Sequence, residues 1–192
     1  SGSRVFLVGG ARAQPPPERV TNSLWSFEPG SGVWTRLLPA AGAPVPLPRS
    51  EASLFALADG DTLILAGGRN RSSLWDVHAF SLQTRRWQQR SVNASRSAVR
   101  SLEWRACVLF GDALFAIGGT SFDVLTFRLD ATAAQPQEDW RVLPALRKPP
   151  IPPMITVPVL CGSRLVVSNV GSSQVCAREP PLRGCCAALR VA

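Results

Sequence analysis

Short apolar segments alternate with polar turns along the whole chain. The segments are rich in apolar and β-branched residues, and glycine, aspartate, asparagine and proline separate them. Such segments predict β-strands. Between them, 59–61, 111–112 and 162–163 predict hairpin turns, because glycine and aspartate tolerate the positive φ that tight turns require. We therefore predict consecutive antiparallel strands, including 51–57, 104–110 and 155–160.

One combination of these elements occurs three times. An apolar strand ends in a glycine doublet, and a tryptophan follows some twenty residues later. The doublets are Gly9-Gly10, Gly67-Gly68 and Gly118-Gly119, and the tryptophans are Trp34, Trp87 and Trp140. The tryptophans lie 53 residues apart both times, since 87 − 34 and 140 − 87 agree. A fixed period near fifty with strand-like content predicts a repeat architecture.

An aromatic residue between doublet and tryptophan completes the pattern, with Phe27, Phe80 and Phe127 in the three copies. We expect each aromatic and its tryptophan to bury apolar surface between neighbouring sheets, at roughly 1.5–3 kcal/mol or more per buried ring. Two glycines let a strand turn sharply and approach another strand closely. Four-stranded sheets that pack face to face around an axis leave few exposed edge strands, and this arrangement is a β-propeller.

At these residues the chain resembles the kelch-repeat family. The resemblance implies an all-β, kelch-type β-propeller of antiparallel four-stranded sheets, of which about four blades are present in part. The predicted blades span 4–38, 51–90, 104–143 and 155–175. The last copy lacks the doublet and the tryptophan. Residues 176–192 form either a tail with Cys, Pro and Arg or the outer strands of the last blade.

Three and a half repeats are fewer than the six or seven that are usual in this family. The sequence leaves several interpretations open: part of a longer propeller, a split gene product, or a half-propeller that another copy or a partner completes. Closure of four blades on their own is a further alternative. An open arc would expose edge strands and apolar blade faces.

The net charge of the chain indicates which kinds of partner it could bind. The formal charge is +8, from 21 basic and 13 acidic residues, and Lys148 is the only lysine. Such a balance raises the possibility of nucleic acid, but the arginines are scattered through predicted loops without a helical stripe or an aromatic platform. We therefore favour an acidic protein partner, because the guanidinium fork pairs bidentately with carboxylates.

No apolar run is long enough to span a bilayer as a helix, and the first residues do not have the form of a signal peptide. The sequence starts without methionine, so it leaves open whether a leader has been removed. We expect a cytoplasmic location. The sequons Asn70-Arg71-Ser72 and Asn93-Ala94-Ser95 would matter only in a secreted chain.

The cysteines favour neither a disulfide scaffold nor a zinc site, because five is an odd number and their spacing does not supply four ligands. We expect Cys107 and Cys161 to be buried free thiols. The other three, Cys176, Cys185 and Cys186, lie near the end of the chain.

Catalytic candidates are few. His78 is the only histidine, and it sits in a predicted strand, so we expect it to fill the space between blades and expect no metal and no cofactor. Kelch-type propellers include a copper radical oxidase, whose tyrosine is absent from this chain, and sugar epimerases. We expect the carboxylate pair Glu138-Asp139 to lie on the solvated surface. A carbohydrate-active enzyme of this fold remains the alternative to a binding role.

The loops after the doublets are the candidate binding surface. In kelch propellers these loops line one rim, and the sequence 67–70 is similar to that of ubiquitin-ligase substrate adaptors, whose arginine and asparagine after the doublet contact an acidic peptide. Pro48-Arg49-Ser50 resembles the family's Pro-Arg pair before an inner strand. The resemblance implies a non-catalytic interaction module, while the simpler interpretation is that loop arginines keep the scaffold soluble. The candidate partner-binding residues are Arg12, Arg49, Ser50, Arg69, Asn70, Arg71, Thr120 and Ser121.

Overall fold

The structure is a computed structural model of the chain. It describes residues 4–12, 19–91, 104–118, 123–129, 140–143, 156–161, 164–169 and 187–190. The described strands belong to two compact units, the first with the strands up to residue 91 and the second with the strands from residue 104 onward.

The first unit contains two antiparallel sheets and two small hairpins. Sheet 1 has the strand order β1-β4-β5, sheet 2 has the order β11-β10-β7-β6, and β2-β3 and β8-β9 are two-stranded hairpins. The strands are β1 (Val5–Val8), β2 (Ala11–Arg12), β3 (Arg19–Val20), β4 (Leu24–Glu28), β5 (Val33–Leu37), β6 (Ser53–Ala56), β7 (Thr62–Ala66), β8 (Arg69–Asn70), β9 (Ser72–Ser73), β10 (Val77–Ser81) and β11 (Trp87–Ser91).

The second unit contains two further antiparallel sheets, with the orders β12-β13-β14-β15 and β16-β17-β18. The strands are β12 (Trp104–Phe110), β13 (Ala113–Gly118), β14 (Asp123–Arg128), β15 (Arg141–Leu143), β16 (Thr156–Cys161), β17 (Arg164–Asn169) and β18 (Ala187–Arg190). Residues near the end of the chain thus supply a third strand to the last sheet, because β18 pairs with β17.

The predicted all-β fold of repeated antiparallel sheets is confirmed. The strand predicted at 51–57 begins later, at Ser53, for a local reason. Glu51 has a φ of 56°, which an extended strand cannot contain. Ser50 instead forms an isolated bridge with Arg69. The interruption separates β6 from the segment that approaches the hairpin β8-β9.

The core of the first unit lies between its two sheets. Sheet 1 contributes Leu24 and Leu37, and sheet 2 contributes most of the remaining buried residues, among them Phe80 and Trp87. Burial of such side chains stabilises the unit by roughly 1.5–3 kcal/mol each. Phe80 and Trp87 are cross-strand neighbours whose ring centroids are 4.8 Å apart. In the second unit, the buried pair Phe127 and Trp140 has a centroid distance of 5.5 Å.

Trp34 differs from the expected burial. Its ring lies 4.8 Å from Phe27, yet Trp34 is 50% exposed, whereas Trp87 is 7% exposed. The physical reason is the alternation of side chains across a sheet. Leu37 is buried against sheet 2, so Trp34, three residues earlier in the same strand, projects from the opposite face together with the exposed Val5. That apolar face of sheet 1 is open to solvent in the first unit.

The glycine doublets bring the backbone close to the segment that joins the two sheets. Gly9 has a φ of 69° and Gly68 a φ of 103°. A Cβ at Gly9 would overlap the carbonyl oxygen of Arg49, and a Cβ at Gly68 would lie 2.8 Å from the carbonyl oxygen of Ser50. Glycine is therefore required here both for its backbone angles and for the close approach. In the third copy, Gly118 ends β13, and Gly119 lies outside the described residues.

We predict that Gly9→Ala destabilises the chain more than Gly32→Ala. Gly32 has nearly the same φ, 70°, but nothing lies within 4 Å of an added Cβ. The left-handed angle should cost each variant about 1–2 kcal/mol, and the clash with Arg49 should add about 1–3 kcal/mol at Gly9. Urea unfolding of both variants measures the difference. Equal losses would show that the close approach at Gly9 is unimportant.

Candidate partner-binding site

The two small hairpins of the first unit follow its glycine doublets directly. Hairpin β2-β3 comes after Gly9-Gly10, and hairpin β8-β9 comes after Gly67-Gly68. The segment Arg49-Ser50 joins them. Together these three pieces form what we call the arginine ribbon: β2-β3, Arg49-Ser50 and β8-β9.

Backbone hydrogen bonds hold the ribbon together. On one side of the joining segment, the Gly10 amide donates to the Arg49 carbonyl at 2.9 Å, and the Arg49 amide donates to the Thr21 carbonyl at 3.0 Å. On the other side, Ser50 and Arg69 exchange hydrogen bonds of 3.0 and 2.8 Å. The two hairpins are therefore fixed relative to each other by the residues between them.

The Arg49 side chain is buried beneath this ribbon, with an exposed fraction of 1%. Its Nη1 and Nη2 donate to Oδ1 and Oδ2 of Asp76 at 2.6 and 2.9 Å, which is a bidentate ion pair. Nη1 also donates to the Gly67 carbonyl at 2.8 Å, and Nε donates to the Leu47 carbonyl at 3.0 Å. A planar guanidinium can satisfy all of these acceptors at once, which a lysine cannot do.

Asp76 is the acceptor that makes this burial possible. Besides Arg49, it contacts His78, whose Nε2 lies 2.7 Å from Oδ2. Burial by itself raises the pKa of the Asp76 carboxyl, but the hydrogen bonds from Arg49 and His78 outweigh it and hold that pKa well below its usual range. His78 is itself buried and meets the Trp87 ring edge to face, at a centroid distance of 6.4 Å.

Arg49 therefore differs from its expected place on an accessible rim. The Pro-Arg pair indicated proximity to the rim loops, and the Arg49 backbone does lie in the ribbon. Its side chain points inward, where the Asp76 carboxylate and the Gly67 carbonyl are buried acceptors that one guanidinium satisfies together. Ser50 lies beside it at intermediate burial.

Hairpin β8-β9 presents the exposed cationic side chains. Arg69 pairs with Ser73 and Asn70 pairs with Ser72, which leaves Arg71 at the tip. Arg69 and Arg71 are exposed, and Asn70 is partly buried. Within residues 19–91, neither of these arginine side chains has a hydrogen bond or an ion pair. The site thus offers two free guanidinium groups on a short, anchored hairpin.

The first hairpin places two arginines opposite each other. Arg12 in β2 pairs in register with Arg19 in β3. Sequence reasoning named Arg12 and missed Arg19, because the residues between them do not fix which positions of the two strands pair. Thr120 and Ser121, the candidates from the third copy, lie outside the described residues.

Sequence reasoning also missed Asp76 as the partner of Arg49. A signal for it existed, since Asp76-Val77 recurs as Asp123-Val124 in the next copy. An acidic residue that repeats just before a buried strand indicates a buried ion pair or hydrogen bond.

In the described ranges, no group of three or more His, Cys, Asp or Glu side chains comes together in a way that could hold a metal ion. Burial raises the pKa of the Cys107 thiol, so this cysteine is a poor nucleophile. Cys176, Cys185 and Cys186 lie outside the described ranges. Those ranges also contain no α-helix with the length and apolar character needed to cross a bilayer.

The repeated sheets, the doublets and the buried aromatic pairs define a kelch-type β-propeller fold. Over residues 1–167 the sequence matches the family described as the KLHDC2/KLHL20/DRC7 Kelch-repeats domain. The chain belongs to the kelch-repeat family, as its motifs predicted.

Comparison with solved structures supports the fold. The chain is similar to the structure of YjhT, with a TM-score of 0.60 and 12% sequence identity, over 86% of this chain and 55% of YjhT. It therefore spans about half the length of that structure. At this identity the likeness concerns the fold alone. No curated protein matches the sequence.

We predict that Asp76→Asn is strongly destabilising. The variant keeps the shape of the side chain but leaves the buried Arg49 charge without its counter-charge, which should cost about 3–5 kcal/mol. Asp112→Asn is the matched control, because Asp112 pairs with Arg128 at 2.9 Å on the surface, where a pair contributes about 0–1 kcal/mol. Urea unfolding followed by tryptophan fluorescence compares the two. Similar losses in both variants would contradict a structural role for the buried pair.

The same ion pair predicts a dependence of stability on pH. The pKa of Asp76 is lowered in the folded chain, and an unfolded aspartate titrates near about 3.9. Its contribution is therefore complete above that pH and is lost progressively as the pH falls further. We expect the stability difference between the natural chain and Asp76→Asn to shrink as the pH falls below about 4. Thermal unfolding at a series of pH values measures it, and a difference that persists unchanged in acid would contradict the assignment.

Proposed function

We propose that the chain is a non-catalytic protein-interaction module that binds an acidic segment of a partner protein through its arginine ribbon. The observation that carries the proposal is the pair Arg69 and Arg71, which are exposed and have no side-chain partner among the described residues, on a hairpin that is anchored to the scaffold. Membership in the kelch-repeat family supports it, since kelch-repeat domains commonly bind other proteins.

Charge and geometry favour an acidic ligand. The chain carries a formal charge of +8, which attracts acidic partners at long range. At close range, a guanidinium pairs with a carboxylate through two parallel hydrogen bonds. The exposed Glu51 follows Ser50 directly but forms no ion pair with either arginine of the hairpin. Both arginines are thus available to an incoming carboxylate.

The backbone at Arg71 gives a second line of support. Arg71 has a φ of 57°, a region that costs a residue with a side chain on the order of 1 kcal/mol and that glycine adopts freely. Arg85 has the same angle in a partly buried turn, whereas Arg71 holds it at an exposed hairpin tip, and this position motivates a functional interpretation of Arg71. In this proposal, the strained backbone aims the guanidinium outward.

The enzymatic alternative has less support among the described residues. A crevice in the first unit is lined by one charged side chain, Arg36, with Asn22, Leu38, Val45 and Trp87 among its other residues. Glycoside chemistry on such a surface requires carboxylates that converge on the substrate. The buried carboxylate of Asp76 is already paired with Arg49.

We also propose that a further kelch blade covers the open face of sheet 1. Pairing places Leu7 opposite Trp25 and Leu65 opposite His78, so the two sheets have equivalent registers. In sheet 2, the face with Leu65 is covered by the residues of sheet 1 around Leu24. A blade that presents similar apolar residues would cover Leu7 and its neighbours in the same way, whether it belongs to this protein or to a partner.

We predict that Arg71→Gly weakens acidic-peptide binding without loss of stability. A fluorescein-labelled peptide of seven glutamates is the probe, and fluorescence anisotropy measures its affinity for the 192-residue chain. Removing one charge-assisted pair should weaken binding by about tenfold. Because glycine adopts the left-handed backbone angle at this position without steric cost, the thermal stability should be unchanged or slightly higher.

Arg85→Gly is the matched control for this variant. Arg85 has the same φ of 57° and lies in the turn before β11, away from the ribbon. The substitution removes one positive charge and one arginine with a left-handed backbone, as Arg71→Gly does. Because Arg85 lies outside the arginine ribbon, the affinity for the glutamate peptide should stay nearly unchanged. Equal weakening by both variants would show that binding follows net charge alone, and no measurable binding by the natural chain would overturn the proposed site.

A further inference from the structure

Two serines of hairpin β8-β9 have no part in the proposed contact with an acidic partner. Ser72 and Ser73 form β9, and both are exposed. Within residues 19–91, neither hydroxyl group has a hydrogen-bond partner. Both serines directly follow the arginine-bearing sequence Arg69-Asn70-Arg71.

We propose that Ser72-Ser73 is a phosphorylation site for an arginine-directed protein kinase, and that a phosphate there pairs with Arg69 and Arg71. This pairing withdraws both arginines from the acidic partner. The proposal rests on the function proposed above and adds its regulation. Phosphorylation would thus turn a cationic hairpin into a nearly neutral one, because a phosphoserine carries a charge of about −1.5 to −2 at neutral pH.

The sequence and exposure of the hairpin suit such a kinase. Arg69 and Arg71 lie just N-terminal to the serines, where an acidic substrate groove can recognise them by charge. The hairpin must open for the serine to reach the kinase. It contains two paired residues on each strand, so opening breaks few hydrogen bonds and leaves the sheets intact.

The reaction is an ordinary phosphoryl transfer from ATP. The serine Oγ attacks the γ-phosphorus, and a new oxygen–phosphorus bond forms. The bond between that phosphorus and the oxygen that bridges to the β-phosphate breaks, and ADP leaves. The hydroxyl proton passes to a base of the kinase.

The register of the hairpin places the product phosphate beside an arginine. Ser73 lies directly opposite Arg69, and side chains opposite each other in an antiparallel pair start from Cβ atoms about 4.5–5.5 Å apart. The guanidinium can therefore reach the phosphate oxygens without a backbone change. An arginine and a phosphate form a bidentate, charge-assisted pair.

The first test asks whether the serines accept phosphate. The 192-residue chain is incubated with ATP, magnesium and the catalytic subunit of cyclic-AMP-dependent protein kinase, and peptide mass spectrometry locates the phosphate. We expect it on Ser72 or Ser73, and we expect that signal to vanish in the double variant S72A/S73A. Phosphate found on other residues and never on these two would overturn the acceptor assignment.

The second test asks whether the phosphate pairs with arginine, and it involves no partner. Phosphoserine is introduced at position 73 by genetic encoding, and phosphorus NMR follows its titration. We expect a lower second pKa of the phosphate in the natural background than in Arg69→Gln, because the guanidinium stabilises the dianion. Identical titration curves in the two backgrounds would overturn the pairing.

The third test measures regulation with the same glutamate peptide. Phosphoserine at position 73 should weaken peptide binding by roughly tenfold or more. Phosphoserine at Ser31, an exposed serine in the turn between β4 and β5, should leave it nearly unchanged. If the unmodified chain does not bind the peptide, the proposed function fails, and the NMR titration still decides the pairing. If the peptide binds equally with and without phosphate at position 73, the regulation fails alone.

Discussion

The buried ion pair between Arg49 and Asp76 is the interaction on which the first unit depends. It joins the segment between the two sheets to the residue that precedes β10, and it also satisfies the carbonyl oxygen of Gly67. A buried charge is unfavourable unless it is paired and hydrogen-bonded. Because each partner makes the other's burial possible, the pair locks the joining segment in one position, and both small hairpins take their places from that segment.

A division of roles between arginines follows from this arrangement. Arg49 is inaccessible and supports the ribbon from below, while Arg69 and Arg71 are exposed on it. The same side-chain chemistry thus serves structure in one place and a proposed contact in the other. What separates the two roles is the number of acceptors within reach, since Arg49 meets a carboxylate and two carbonyls and the exposed pair meets solvent.

Most of the fold could be predicted from the sequence, because repeated doublets and tryptophans at a fixed period leave few architectures open. The burial of Arg49 was missed, because its partner Asp76 is distant in sequence, and the recurring Asp-Val pair indicated a buried acidic residue but not which arginine it meets. The exposure of Trp34 could not be predicted either. The repeat pattern predicts that its ring packs with Phe27, but it does not indicate whether another sheet covers that face of sheet 1. The hairpin registers that pair Arg12 with Arg19, and Arg69 with Ser73, depend on backbone geometry that composition does not reveal.

The separation between Arg49 and Asp76 has a consequence during protein synthesis. Asp76 is 27 residues further along the chain, so a ribosome that adds about 5–20 residues per second supplies it roughly one to five seconds after Arg49. Through that interval the Arg49 guanidinium lacks the carboxylate that it pairs with in the folded chain, and it stays hydrated. The joining segment can settle only when the strand after Asp76 emerges, so the first sheet must wait for the second before either acquires its final neighbours.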